Sequence, residues 1–251
     1  MKNDISLAQW ALIEEHRSGK VKAMDIPRMV REDFGLNGIE WVNTLFEVPT
    51  LTYLDALKEQ CKRYDVQNVL IMVDEEGDGC SSTEEGRDRF LIQHQKWVDI
   101  AQYLGCHAIR TNCRGNLKED PDDSLKWATE SYLKLLEYAG SQGIRILIEN
   151  HGGFSDNADW MVRLFKSVDH PLFGSYPDWR DPSFGYDHIE YLSKMLPWAG
   201  GVSYRNQPTE EMTAQMIRIC VDGGYKGWYG IESEGREEVL KGKALLKKYL
   251  E

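Results

Sequence analysis

The sequence predicts an α/β fold, a (β/α)8 barrel forming one domain over residues 1–251. Three observations lead there. Short β-like runs alternate with longer helical ones, eight times in all. The repeat is about 30 residues, the size of one β-α unit. A chain of 251 residues has the length that such barrels use as a single domain.

In chain order the strands read "ISLAQW", "GIEWVN", "NVLIMVD", "HAIRTN", "IRILIEN", "LFGSYPD", "GGVSYR" and "WYGIES". Amphipathic stretches lie between them. "LTYLDALKEQCKRY" sets Leu51, Leu54, Leu57 and Cys61 on one helical face. "DRFLIQHQKWVDIAQYLG" stops on Gly105, a helix-ending residue. "DDSLKWATESYLKLLEYAGSQG" and "EEMTAQMIRICVDGGYKG" begin with acids and end in glycines, the expected cap chemistry. The alternative, a doubly wound open sheet, normally carries a glycine-rich first turn, and "AQWALIEEH" is no such turn.

Composition narrows the function. The apolar fraction of 41% and the eight tryptophans support a large core. A net charge of −11 repels nucleic acid and anionic bilayers, so a small neutral or cationic ligand is the easier partner. The five cysteines, odd in number and without C-x-x-C spacing, are expected as reduced thiols, with Cys106 and Cys220 in the core. The start "MKNDISLAQW" lacks an apolar signal segment and no apolar run reaches membrane-spanning length, so a cytoplasmic location is expected. Trp127 and Tyr132, in a predicted helix, serve either a homo-oligomer interface or ordinary packing.

In a barrel the chemistry sits where strands end. Here those ends carry Glu40, Asp74, Arg110, Asn112, Glu149, Asn150, His151, Asp178, Ser203, Arg205, Glu232 and Glu234. Alternation along a strand puts Glu149 with His151, Ser203 with Arg205, and Glu232 with Glu234. One strand-end glutamate is ordinarily a solvated rim residue. Several carboxylates ending apolar strands at matching positions are harder to explain that way. If the strands close, Glu149, Asp178 and Glu232 converge, and three such groups repel unless a cation lies among them. Oxygen ligation favours Mg²⁺ or Mn²⁺, and an imidazole widens the choice to Co²⁺ or Zn²⁺. Trp10, Trp41 and Trp179 are read as packing before sugar platforms.

The stretches "ILIENHGG", "GSYPDW", "GGVSYRN" and "GGYKGWYGIESEG", with "LGCHAIRTN", resemble the xylose isomerase-like TIM barrels, the sugar phosphate isomerase/epimerase superfamily. The likeness runs over essentially the whole chain. It implies a divalent metal held by Glu149, Asp178 and Glu232. The family's fourth ligand, a histidine on the seventh strand, is Ser203 here, leaving water or His151 for that position. The resemblance also implies Glu149 and Glu232 as the acid/base pair. They would move a proton alpha to a sugar carbonyl, with Glu40, Arg110, Asn112, His151 and Arg205 holding hydroxyls. The loop "ESEGREE" has one arginine among acids, so an unphosphorylated sugar is expected. Three other outcomes fit less well. They are elimination from a keto-glycoside by the same enolate, a non-catalytic sugar-binding protein, and an abasic-site nuclease. The nuclease is disfavoured by six scattered histidines and the acidic charge.

Overall fold

The computed structural model describes residues 3–250 apart from Asp181, Pro182 and Phe184. Eight parallel strands form one sheet: β1 (Asp4–Ala8), β2 (Gly38–Val42), β3 (Gln67–Met72), β4 (Ala108–Asn112), β5 (Arg145–Glu149), β6 (Phe173–Ser175), β7 (Val202–Tyr204) and β8 (Trp228–Ile231). Their order is β6-β5-β4-β3-β2-β1-β8-β7. Two single-residue parallel bridges, Ser175 to Ala199 and Asp178 to Ser203, join β6 to β7 and close the ring. The predicted barrel is the observed fold.

The helices are α1 (Ile13–Arg17), α2 (Ile26–Arg28), α3 (Leu51–Arg63), α4 (Glu84–Leu104), α5 (Pro121–Gly140), α6 (Ala158–Val168), α7 (His188–Met195), α8 (Glu210–Asp222) and α9 (Arg236–Leu250). The predicted third connection starts four residues late. Thr83 caps α4, its side chain accepting from Gly86 N at 3.1 Å, and Glu84 and Glu85 face the positive helix end. The sixth strand is shorter than predicted because Pro177 has no N–H to give to a ladder. Among the described residues, no helix is long and apolar enough to cross a membrane.

Two apolar layers result from strand alternation. Ile39, Ile109, Ile146, Ile148, Tyr204 and Ile231 face the helices in the larger core. Ala8, Val42, Met72, Ala108, Leu147, Tyr176 and Trp228 form a separate cluster inside the ring. All five cysteines are buried and free, as expected. Trp41 and Trp179 are fully buried, which settles them as packing. Tyr132 is also fully buried, whereas Trp127 is half-buried with the Arg87 guanidinium 6.0 Å from its ring.

Candidate active site

The inward face of the strands carries a polar layer above that inner cluster. Glu149 ends β5, Asp178 follows β6, Ser203 lies on β7, and Glu232 follows β8. All four are buried. Arg205 clamps two of the acids. Its Nε donates to Asp178 Oδ1 at 2.8 Å and its Nη2 to Glu232 Oε1 at 2.6 Å. Ser203 Oγ lies 2.5 Å from Glu232 Oε2 and 3.2 Å from Asp178 Oδ1, so its single proton goes to the nearer acceptor.

Arg180 spans the other pair, with Nε 3.2 Å from Asp178 Oδ2 and Nη2 3.7 Å from Glu149 Oε1. Below, Arg110 places Nε 2.7 Å from Glu149 Oε2, yet the N–H points off that line and neither atom makes a hydrogen bond. Its Nη1 donates to Asp74 Oδ1 at 2.7 Å and to Asn112 Oδ1 at 3.3 Å. Solvent reaches the Arg205 side chain (30% exposed) and Arg180 (15%) but scarcely Arg110 (1%). The carboxylates are therefore gathered by guanidinium groups. Among the described residues, no group of three or more His, Cys, Asp or Glu is arranged to hold a metal ion.

Burial decides the proton affinities. It raises Glu149 well above the usual carboxylate range, because the Arg110 charge offsets only part of the lost hydration and Asp178 and Glu232 add repulsion. Burial raises Glu232 as well, against the pull of Arg205 and Ser203. At Asp74 burial acts the same way but Arg110 prevails, and its pKa falls to about 2.

Glu40 lies deeper, fully buried. Its carboxylate accepts from Ser6 Oγ at 2.8 Å and from the Tyr176 hydroxyl. Burial pushes it up to about 7. A glycine opposite makes room, since a Cβ on Gly230 would lie 2.0 Å from Glu40 Oε2.

The stretch after β5 is built around its neighbours. Asn150 Oδ1 accepts from Asp178 N at 2.7 Å and its Nδ2 donates to Asp178 O at 2.9 Å, which fixes Asp178 beside Glu149. His151 N donates to Ser155 Oγ at 2.9 Å, and its ring contacts the Arg114 guanidinium. Burial, then Arg110, Arg180 and Arg114, lower this imidazole to about 4, so it is neutral at physiological pH. Gly153 adopts φ +63°, and a Cβ there would stand 2.0 Å from Arg114 O. That close approach is what the paired glycines permit.

Trp10, Asp74, Asn112, Arg114 and His151 line a cavity of about 450 Å³ at the strand-end mouth. Of the residues expected to hold hydroxyls, Asn112 and His151 line it, and Arg205 lies over the acids. Glu40 and Arg110 are sealed beneath. Glu234, expected beside Glu232, is exposed, because β8 ends at Ile231. Sequence reading missed Arg180, Tyr176, Arg114 and the role of Asn150. Arg180 and Tyr176 stand two residues either side of Asp178, so the alternation rule that paired Glu149 with His151 would have found both.

No curated protein matches the sequence. Solved structures do match along its length. D-psicose 3-epimerase, crystallised with D-fructose, aligns with TM-score 0.77 and 12% identity over 98% of this chain and 99% of that one. The probable 3-DHS dehydratase AsbF of Bacillus anthracis gives 0.76 and 15% over 98% and 99%. The 3-keto-D-glucoside 4-epimerase YcjR of E. coli gives 0.74 and 15% over 98% and 100%. Likeness at such identities shows a shared fold, and these neighbours are sugar epimerases and a dehydratase. Residues 30–249 match the family model described as xylose isomerase-like TIM barrel, and the chain belongs to that family.

Proposed function

We propose that the protein is a sugar isomerase or epimerase that moves a proton on the carbon beside a carbonyl. Its substrate is an unphosphorylated sugar or sugar derivative. The observation that carries this reading is the pair of buried glutamates, Glu149 and Glu232, whose proton affinities are both raised, set among three guanidinium groups. A carboxyl group tuned upward is what proton transfer near neutral pH requires.

The two glutamates differ in their donors. Glu232 receives Ser203 and Arg205, both well aligned. Among the described residues, Glu149 has only the misaligned Arg110 and the distant Arg180. The resting proton therefore belongs on Glu149, and Glu232 is the base. As Glu232 takes the proton alpha to the carbonyl, negative charge grows on the carbonyl oxygen. Arg205 and Arg180, the solvent-side cations, are placed to receive it. Glu149 then returns its proton. Delivery to the opposite face gives the epimer, and delivery to the neighbouring carbon gives the isomer. Asn112, His151 and Arg114 supply hydroxyl partners in the mouth, with Trp10 as one wall.

The divalent cation that the family resemblance implies was assigned to Glu149, Asp178 and Glu232. These residues do not fit it as they are arranged. Both oxygens of Asp178 face arginines, and Arg205 lies between Asp178 and Glu232. Ser203, where a histidine ligand is expected, directs its proton at Glu232. A dication there would stand against guanidinium groups that already balance the acids, so no step is routed through one.

Deuterium uptake from D2O at the carbon next to the carbonyl, measured across a panel of free ketoses and 3-keto-glycosides, tests the reading. Wild type is expected to wash deuterium into at least one sugar and to keep doing so after exhaustive chelation. Glu149→Gln and Glu232→Gln are each expected to slow exchange roughly 100- to 10,000-fold while melting as wild type does. Unchanged exchange in both variants would remove the assignment. Stoichiometric Mn²⁺ binding that restores a chelated enzyme would return the metal. Aglycone release without an epimer would replace the isomerase by a lyase.

A further inference from the structure

We propose that the cavity at the opposite, strand-start end of the barrel is a second ligand site. It takes a small molecule bearing one phosphate or carboxylate group, with Arg145 as the anion's partner. The cavity measures about 600 Å³ and is walled by the residues that open the strands, among them Gln67, His107, Arg145 and Trp228. This is the size range of metabolite sites.

Arg145 is the anomaly that points to a ligand. It begins β5 on the same inward face as Leu147 and Glu149. Its guanidinium lies against the backbone of β6 and of the turn leading into β7: a Cβ on Gly174 or Gly200 would come within 2.9 or 2.7 Å of its nitrogens. Nε is buried without a hydrogen bond, and among the described residues no carboxylate pairs with the group. In a chain of net charge −11, where Arg110, Arg180 and Arg205 at the other end are each held by an acid, a half-buried guanidinium without one is out of place. Such a charge is costly unless something anionic meets it.

The surroundings suit an anion. Lys226 also lines the cavity, and so does His107, whose Nε2 lies 3.1 Å from Gly200 O. Gly143, Gly223, Gly224 and Gly227 border it and leave it room, since they carry no side chains. Tyr225, Trp228 and Leu172 supply an apolar wall for the remainder of the molecule. A planar guanidinium with free donors is the group that grips a phosphate or carboxylate with two hydrogen bonds. The assignment stands independently of the chemistry proposed for the strand-end site.

Calorimetric titration of the full chain with phenyl phosphate and with inorganic phosphate tests it. Wild type is expected to bind phenyl phosphate saturably at one site. Arg145→Met is expected to bind at least tenfold more weakly, and Arg145→Lys to fall between. Arg205→Gln, at the other end, should match wild type. Tighter binding of phenyl phosphate than of inorganic phosphate identifies an anionic metabolite as occupant, and equal binding identifies the free anion. Should the methionine variant fail to fold, the lysine variant decides, since it keeps the charge and loses the fork. Wild-type affinity in either Arg145 variant overturns the proposal. So does the lack of saturable binding of either phosphate by wild type, or loss of binding confined to Arg205→Gln.

Discussion

β5 begins with Arg145, half-buried, and ends with Glu149, fully buried; the two ionisable groups share the inward face four residues apart, and the fold treats them differently. Glu149 lies in ion-pair range of Arg110 and Arg180, and Asp178 and Asn112 extend that network. Arg145 meets backbone, an aromatic wall and a cavity. Burial alone is therefore a poor guide to function in this barrel. Where charges are compensated from within, the constellation is complete and ready to work on a substrate. Where a charge has no internal partner, the missing part lies outside the chain.

Breaking the compensated end is expected to have the largest consequence for stability. Arg110→Met leaves Asp74 ionised with its main cation removed, a loss of about 3–5 kcal/mol in denaturant melts at pH 7. The deficit should shrink on acidification, as Asp74 takes up a proton. A loss below about 1 kcal/mol would show that Arg110 is not what holds the cluster.

Between the two ends sits Glu40, faced by the Ser6 and Tyr176 hydroxyls, with Glu232 and Arg110 near enough to shift it. Its folded pKa of about 7 lies above the ordinary glutamate value of 4.5. The folded state thus binds the proton more tightly than the unfolded one. Its contribution to stability is whole below about pH 4.5 and is lost as pH rises through about 7. Across that window wild type should lose up to about 3 kcal/mol, and Glu40→Gln should flatten this slope. An identical slope in the variant would place the titration elsewhere.

The smallest effect sharpens the contrast. Arg145→Met removes a half-buried cation with no acidic partner among the described residues to strand, so stability should stay within about 1 kcal/mol of wild type or rise. A loss as large as that of Arg110→Met would mean that Arg145 is already compensated inside the chain.

Much of the site could be read from residue order. Glu149, Asp178 and Glu232 were legible because each interrupts an apolar strand with a charge, which a buried face tolerates only with compensation. Ser203 and Arg205 were legible as a shared face through alternation. Glu40 was read as a rim residue, but it faces inward a layer down, and the register that sets Gly230 opposite it is a property of closing β1, β2 and β8 together. The cation among the acids was expected to be a metal. The arrangement supplies guanidinium groups instead, and although alternation around Asp178 marks Arg180 as sharing its face, which acids it meets depends on how β5 and β6 lie together.

Residue order specifies the barrel, its strand number and the acids that end its strands, because periodicity, caps and strand-end polarity are local and repeat with each β-α unit. Folding in three dimensions settles which arginine meets which carboxylate, that Glu40 is sealed while Glu234 is exposed, and that Arg145 has no acid beside it among the described residues. Those outcomes depend on distances between segments far apart in the chain. A buried charge takes its energy from such distances and from the water excluded around it, neither of which residue order specifies.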